Sequence, residues 1–247
     1  LAGPPGVPGK GVSGWDRFSF RSTRGGTPGR LKKADSGIIP GMKSYETTTP
    51  PRSSIEPENV PQADFPTPFG DFRIFGFRDS VSGEEAVALV HGDIKDKTVL
   101  ARVHSMCFTG DTLHSLRCDC GNQLNAAMEA IGSSEGGILI YQMQEGRGIG
   151  LLNKLRAYAL QDEGLDTIDA NHKLGFKSDE RQYAFCAEIF RYFGVRGIRM
   201  LTNNPRKIEG MQKEGINVEE RVPLVIEPSQ HNSRYLKTKK DRMGHMI

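Results

Sequence analysis

Three of the chain's four cysteines fall within one short stretch, CFTGDTLHSLRCDCG, where Cys107, Cys118 and Cys120 stand at C-x10-C-x-C spacing. Thiolates set this way can converge on one ion: the C-x-C pair offers two ligands and the ten-residue loop returns a third. Zinc takes three protein ligands plus water where it is catalytic, and four protein ligands where it is structural. Only three thiols are local, since Cys186 lies on the apolar stripe of a predicted helix. The spacing favours an open three-ligand site. It leaves standing a structural site completed by His104 or His114, and also a set of unrelated free thiols.

Two further stretches carry the chemistry of anion binding. QEGRGIGL (144–151) leaves a predicted strand, crosses three glycines and enters a predicted helix, so backbone N–H groups and Arg147 can face an anion. It lacks the G-K-[ST] ending of a Walker loop. LTNNPRK (201–207) repeats the arrangement, with Arg206 and Lys207 in a first helical turn, where the helix dipole opposes cations. Such a pair is either solvated or set against an anion. SDER (178–181) reads as another helix start, with Ser178 as cap and acids in the first turn.

These stretches need a scaffold, and the flanking periodicity predicts one. Order is expected to begin near Phe65, with strand-like runs at 72–77 (FRIFGF), 85–92 (EAVALVHG) and 99–105 (VLARVHS). From Cys120 a helix is expected, because Leu124, Ala127, Met128 and Ile131 recur at i, i+3, i+4 and i+7. Residues 136–143 (GGILIYQM) read as a short buried strand. A second helix starts near Gly148, with Leu151, Leu152, Leu155 and Tyr158 on its inner side and Gly164 as its stop. A third covers ERQYAFCAEIFRYFG (180–194), striped by Tyr183, Cys186, Ala187, Phe190 and Phe193. GIRMLTN forms a strand, Asn204 caps a helix with Pro205 at its first position, and INVEERVPL closes as a strand. This order predicts an α/β fold: a mixed sheet flanked by helices, as one catalytic domain over residues 61–247.

Residues 1–60 differ in kind. They hold ten Gly and eight Pro, and nine Lys or Arg against five Asp or Glu, a balance of +4 within a chain of +3. They lack apolar periodicity and are expected to be disordered. Sparse acids around SFRSTRGGTPGR also suit an organelle transit peptide. Leu1 in place of an initiator suggests a fragment or a processed product. The remaining residues are nearly neutral, which fits nucleic acid poorly. No run of 18 apolar residues occurs, so no membrane span is expected, and the absence of a secretion signal points to reduced thiols in the cytoplasm.

RVHS (102–105), CFTGD (107–111), SLRCDCG (115–121), QEGRGIGLLNKLRAYALQDEGLDTIDANHKLGF (144–176), DER (179–181), LTNNPRKIE (201–209) and TKKDRMGH (238–245) together resemble GTP cyclohydrolase II of riboflavin biosynthesis. The resemblance runs from about Pro66 to Ile247, with no sign of the dihydroxybutanone phosphate synthase domain often fused upstream. It implies a homodimer that converts GTP to 2,5-diamino-6-ribosylamino-4(3H)-pyrimidinone 5′-phosphate, formate and pyrophosphate. Cys107, Cys118 and Cys120 would hold Zn2+, where water is activated to open the imidazole ring, and Mg2+ would accompany the triphosphate. Nucleotide contacts would fall on Arg102, Val103, His104, Ser105, Met106, Gln123, Glu145, Gly146, Arg147, Thr167, Thr202 and Lys207. Tyr158 would act in ring opening, with Asp179 as proton acceptor and Arg181 as nucleophile. A guanidinium is a poor nucleophile, so stabilisation of phosphate charge is an equal reading of Arg181. Met106 and Met143 depart from the family pattern, which usually has Glu and Arg there, and this leaves room for a divergent enzyme that stops at the formylated intermediate or takes another purine nucleotide; the remaining alternative is a non-catalytic zinc or nucleotide-binding module, with four-ligand zinc and no turnover.

Overall fold

The apolar runs pair into one seven-stranded sheet. Its strands are β1 (Gln62–Thr67), β2 (Gly70–Arg78), β3 (Glu85–Gly92), β4 (Thr98–Ser105), β5 (Gly136–Gln142), β6 (Gly197–Leu201) and β7 (Val218–Val222), in the order β1-β2-β3-β5-β4-β6-β7. The β1 to β3 meander and its junction with β5 are antiparallel, whereas β5, β4, β6 and β7 are parallel, so the sheet is mixed. The computed structural model describes residues 54, 55, 59–177, 179–227, 230 and 232–246. The disorder expected of residues 1–60 therefore lies almost wholly outside the described residues. Those that are described show order beginning earlier than Phe65: Ser54 donates from its backbone N and Oγ to Glu188 at 2.7 and 2.8 Å, and Ile55 is buried in the core.

Helices cover both faces of the sheet. The helices are α1 (Phe108–Asp111), α2 (Cys120–Gly132), α3 (Leu151–Asp162), α4 (Thr167–Lys173), α5 (Ala184–Tyr192), α6 (Pro205–Lys213) and α7 (Ser233–Met243). On one face Ile189 and Phe190 of α5 and Met211 of α6 pack on Val99, Ala101 and Val103 of β4 and Ile138 and Ile140 of β5. On the other, Ala127 and Ile131 of α2 pack on Phe72, Leu89 and Leu139. Full burial of side chains such as Ile131 or Phe190 contributes about 1.5–3 kcal/mol each.

The α5 stripe lies as its periodicity predicts, with Tyr183, Cys186, Ala187 and Phe190 buried. Its start does not. The helix begins at Ala184 because the preceding backbone N–H groups are taken elsewhere: Glu180 N donates to Arg147 O, Arg181 N to Asp179 Oδ1 and Gln182 N to Gln144 Oε1. Ser178, the expected cap, lies outside the described residues. The inner face assigned to α3 holds only in part: Tyr158 lines the pocket, but the two central leucines turn outward. Leu152 and Leu155 are 69% and 45% exposed, while Lys154 and Ala157 are the buried residues.

Parallel β4, β5 and β6 end together. β4 is the switch point: α2 crosses from β4 to β5 over one face, and the path from β5 to β6 returns over the other through α5. In open α/β sheets the crevice beyond the carboxyl ends of the strands at such a point is where ligands bind.

Candidate functional site

The period of two along β4 sets what enters that crevice. Val99, Ala101 and Val103 turn to the α5 side, while Leu100, Arg102 and His104 turn to the α2 side. The strand then delivers Cys107, and the start of α2 delivers Cys118 and Cys120. The three Sγ atoms lie within 4.8 Å of one another, with Cys107 and Cys118 3.7 Å apart. A tetrahedral zinc ion with Zn–S near 2.3 Å separates its sulfurs by about 3.8 Å, so the donor set fits that ion. Among the described residues no His, Asp or Glu joins the group: His104 Nε2 faces Asp111, and His114 is exposed. Two glycines permit the approach. A Cβ on Gly110 would sit 2.7 Å from Cys118 Sγ and 3.1 Å from Cys107 Sγ, and one on Gly121 would sit 2.5 Å from the Gly110 carbonyl. Cys186 stays in the core, its thiol pushed up to about 12 by burial.

Buried polar groups fix the first thiol. Asp111 Oδ2 accepts from Cys107 N at 2.9 Å and from Tyr141 OH at 2.8 Å, and His104 Nε2 lies 3.1 Å from the same oxygen. Glu145 Oε2 accepts from Phe108 N, and its Oε1 accepts from Lys154 Nζ at 2.8 Å. Lys154 Nζ also donates to Cys107 Sγ at 3.1 Å. Hydrogen bonds from Cys118 and Cys120, with Lys154 adding its charge, hold Cys107 far below the ordinary thiol range. The sharing of protons with Cys107 lifts Cys118 to about 11 and Cys120 well above its usual value. Tyr158 OH meets Thr109 Oγ1 at 3.2 Å, and burial pushes its phenol up to about 12.

One pocket gathers the rest. Arg102, His104, Ser105, Met106, Gln123, Glu145, Gly146, Arg147, Tyr158, Thr167, Arg181, Thr202 and Lys207 all line it together with the three thiols. Arg102, lowered to about 10 by burial, donates to Leu201 O at 2.8 Å and Gln123 Oε1 at 2.7 Å, and its Nε has no protein partner. Asp179 stands behind Arg181 and clamps it by two contacts, Nε to Oδ1 at 2.8 Å and Nη2 to Oδ2 at 2.5 Å. Burial works against the Arg181 cation, but this carboxylate outweighs it and raises the guanidinium further. Met143 is 41% exposed and outside the pocket lining.

Three placements differ from expectation. Val103 points its side chain into the core and offers only its carbonyl, which accepts from Lys207 Nζ at 2.7 Å. Lys207 and Arg206 do not form a pair around an anion: Lys207 is buried in the pocket wall, and Arg206 is exposed on a groove beside Asp179. The glycine-rich turn is not a simple helix start. Gly146 and Arg147 both adopt left-handed backbone, at φ 62° and 64°, before α3 opens at Leu151.

Sequence reasoning missed Asp111, Asp119, Lys154, Lys239 and His245. Asp119, the residue between two of the thiols, accepts from Lys239 Nζ at 2.7 Å, and so ties α7 to the site. His245 lines the pocket, its imidazole pushed down to about 3 by burial and by Lys239, Arg147 and Arg181. The signal available for Lys154 was its helical spacing from Tyr158, whereas nothing local marked Lys239, whose neighbour Tyr235 is placed in the pocket only by the fold.

The family model described as GTP cyclohydrolase II matches residues 58–223. A GTP cyclohydrolase-2 of Proteus mirabilis (strain HI4320) is 56% identical over 189 residues, covering 76% of this chain and 95% of the relative. One from Shigella boydii serotype 18 is 55% identical over 191 residues, covering 77% and 97%. Among solved structures, a two-domain 3,4-dihydroxy-2-butanone 4-phosphate synthase from A. baumannii is similar at TM-score 0.40 and 18% identity, over 71% of this chain and 42% of that one.

Proposed function

The chain belongs to the GTP cyclohydrolase II family, and from that membership and the three-thiol pocket we propose that it hydrolyses GTP to 2,5-diamino-6-ribosylamino-4(3H)-pyrimidinone 5′-phosphate, formate and pyrophosphate. One observation carries the reading. The pocket that holds the thiols is lined by seven basic side chains, Arg102, Arg117, Arg147, Lys154, Arg181, Lys207 and Lys239, and by one acid, Glu145; Asp179 and Asp119 stand behind Arg181 and Lys239, and burial holds Lys207 well below the ordinary ammonium range, so the positive excess is smaller than the count. Such an excess suits a triphosphate, which brings Mg2+ with it.

Cys107, Cys118 and Cys120 are the residues that would hold Zn2+, which when bound supplies the Lewis acidity that activates water for ring opening and formate release. The protein's own groups do the remaining work. Tyr158 stays protonated beside Thr109, 3.2 Å away, and offers a hydrogen bond at the thiol end of the pocket. Arg181 remains a cation, pinned by Asp179, so it stabilises charge developing at the phosphates rather than attacking phosphorus. Gln123 orients Arg102, and Lys207 adds a donor at the end of β4. In this reading residues 61–247 are the catalytic unit, acting in the cytoplasm on a nucleotide rather than on nucleic acid. Among the described residues no helix is long and apolar enough to cross a membrane. A homodimer would cover Leu152 and Leu155 of α3 and the exposed Leu113 and Leu116. Light scattering of Leu152→Glu tests that contact, with a shift towards monomer expected.

Mass spectrometry of the products after zinc-replete protein meets GTP and Mg2+ tests the activity. Formate, pyrophosphate and the diaminopyrimidinone phosphate are expected. A formylated ring-opened product would place the defect at the second hydrolysis, and unchanged GTP would refute the reading.

A further inference from the structure

The resemblance makes Glu145 a nucleotide contact, yet its carboxylate has little left to offer a ligand. It is 4% exposed, Oε1 accepts from Lys154 Nζ at 2.8 Å and from Gly146 N at 2.7 Å, and Oε2 accepts from Phe108 N at 2.7 Å. Lys154, 9% exposed, spans the gap from this carboxylate to Cys107 Sγ at 3.1 Å. Its stem lies against the glycine turn, where a Cβ on Gly146 would come 3.2 Å from Lys154 Cβ. The lysine and the carboxylate thus reach the first thiol from two sides, one at its sulfur and one at the following backbone N–H. We propose that Lys154, held by Glu145, is a positioning residue of the thiol site: its ammonium donates to the Cys107 sulfur and balances the negative charge that three thiolates leave in excess over a divalent ion. An N–H···S hydrogen bond draws electron density from the thiolate, which leaves a bound ion more electron-poor, as partners of metal ligands do elsewhere. It also fits the outward placement of Leu152 and Leu155, since the side of α3 that carries Lys154 faces the pocket.

This inference rests on the reading of the three cysteines as metal ligands, and its test does not depend on turnover. Wild type, Lys154→Met and Lys154→Arg are loaded with Co2+ and their thiolate-to-cobalt charge-transfer bands compared. Loss of the hydrogen bond makes sulfur a better donor, so the Met variant is expected to absorb at lower energy, while Arg, which keeps charge and donors, stays near wild type. Lys154→Gln takes the place of the Met variant if that protein does not fold. In the zinc form, kcat is expected to fall roughly 10–100-fold with KM for GTP held. An unchanged band energy, with only a lower melting temperature, would reduce the pair to a structural ion pair and overturn the proposal. A wild type without any thiolate–cobalt band would overturn it together with the metal reading. A shifted band in a protein that leaves GTP intact would support it and overturn the reaction alone.

Discussion

Replacing Lys239 with Met should destabilise the protein through a residue far along the chain from the thiols. Lys239 Nζ and Asp119 Oδ1 are 2.7 Å apart, with side chains 10% and 4% exposed. At an effective dielectric of 20 the attraction is about 6 kcal/mol, much of it offset by burying both charges. Removing only the lysine leaves the Asp119 carboxylate buried without its partner, which costs about 3–5 kcal/mol. The loss spreads, because Asp119 Oδ2 accepts from Gln123 Nε2 and Gln123 Oε1 accepts from Arg102 Nη2. A domain of this size shifts its melting temperature by roughly 2–4 °C per kcal/mol, so a fall of about 6–20 °C is expected by thermal denaturation of the zinc-loaded protein. Burial raises the Asp119 carboxyl, but Lys239 outweighs it and the folded pKa is lowered. The pair therefore stabilises above the ordinary aspartate range near about pH 4, and its contribution is lost as pH falls through the folded value. The gap between wild type and variant should close in acid. Asp119→Asn and the double variant complete a cycle. If the single effects add within about 0.5 kcal/mol, the two side chains are not coupled and the argument fails.

Other outcomes follow from single contacts. Gly110→Ala, whose Cβ would press on two thiols, should purify with markedly less than one zinc per chain by metal analysis, and full occupancy would count against the convergence. Asp111→Ala removes the acceptor shared by Cys107 N and Tyr141 OH, and roughly 10–100-fold weaker zinc binding is expected in a chelator competition. Arg181→Lys should lower kcat by roughly 100- to 1,000-fold, and wild type sampled within one turnover should show no nucleotidyl adduct by intact-protein mass; an adduct would restore covalent attack. His245, whose folded pKa is depressed, stabilises above about pH 6.5 and loses that contribution as pH falls towards its folded value of about 3. His245→Phe should therefore flatten the pH dependence of the melting temperature in that interval.

The parts legible in the sequence were those where one local signal decided the outcome. The α5 stripe and the Asn204–Pro205 helix start depend on apolar period and cap chemistry, and both lie where expected. The thiol spacing depends on ligand geometry, and the three sulfurs converge. Where a segment served the pocket, the same rules misled. In α3 the apolar face was assigned inward, because periodicity reports which residues share a side but not which side the core takes. The pocket took the polar one, since Lys154, Ala157, Tyr158 and Gln161 recur at i, i+3, i+4 and i+7 and all line it. In α6 the two cations of the first turn looked equivalent, yet Asn204 caps Arg206 N and the helix turns Lys207 alone inward to Val103 O. The role of α7 was invisible for a different reason: it acts through Asp119, 120 positions away, and an ion pair at that separation leaves no local trace. Chemistry built from distant charges is thus what a sequence conceals, and the reach of Lys239 to the residue between two of the thiols is where that concealment bears most directly on the site.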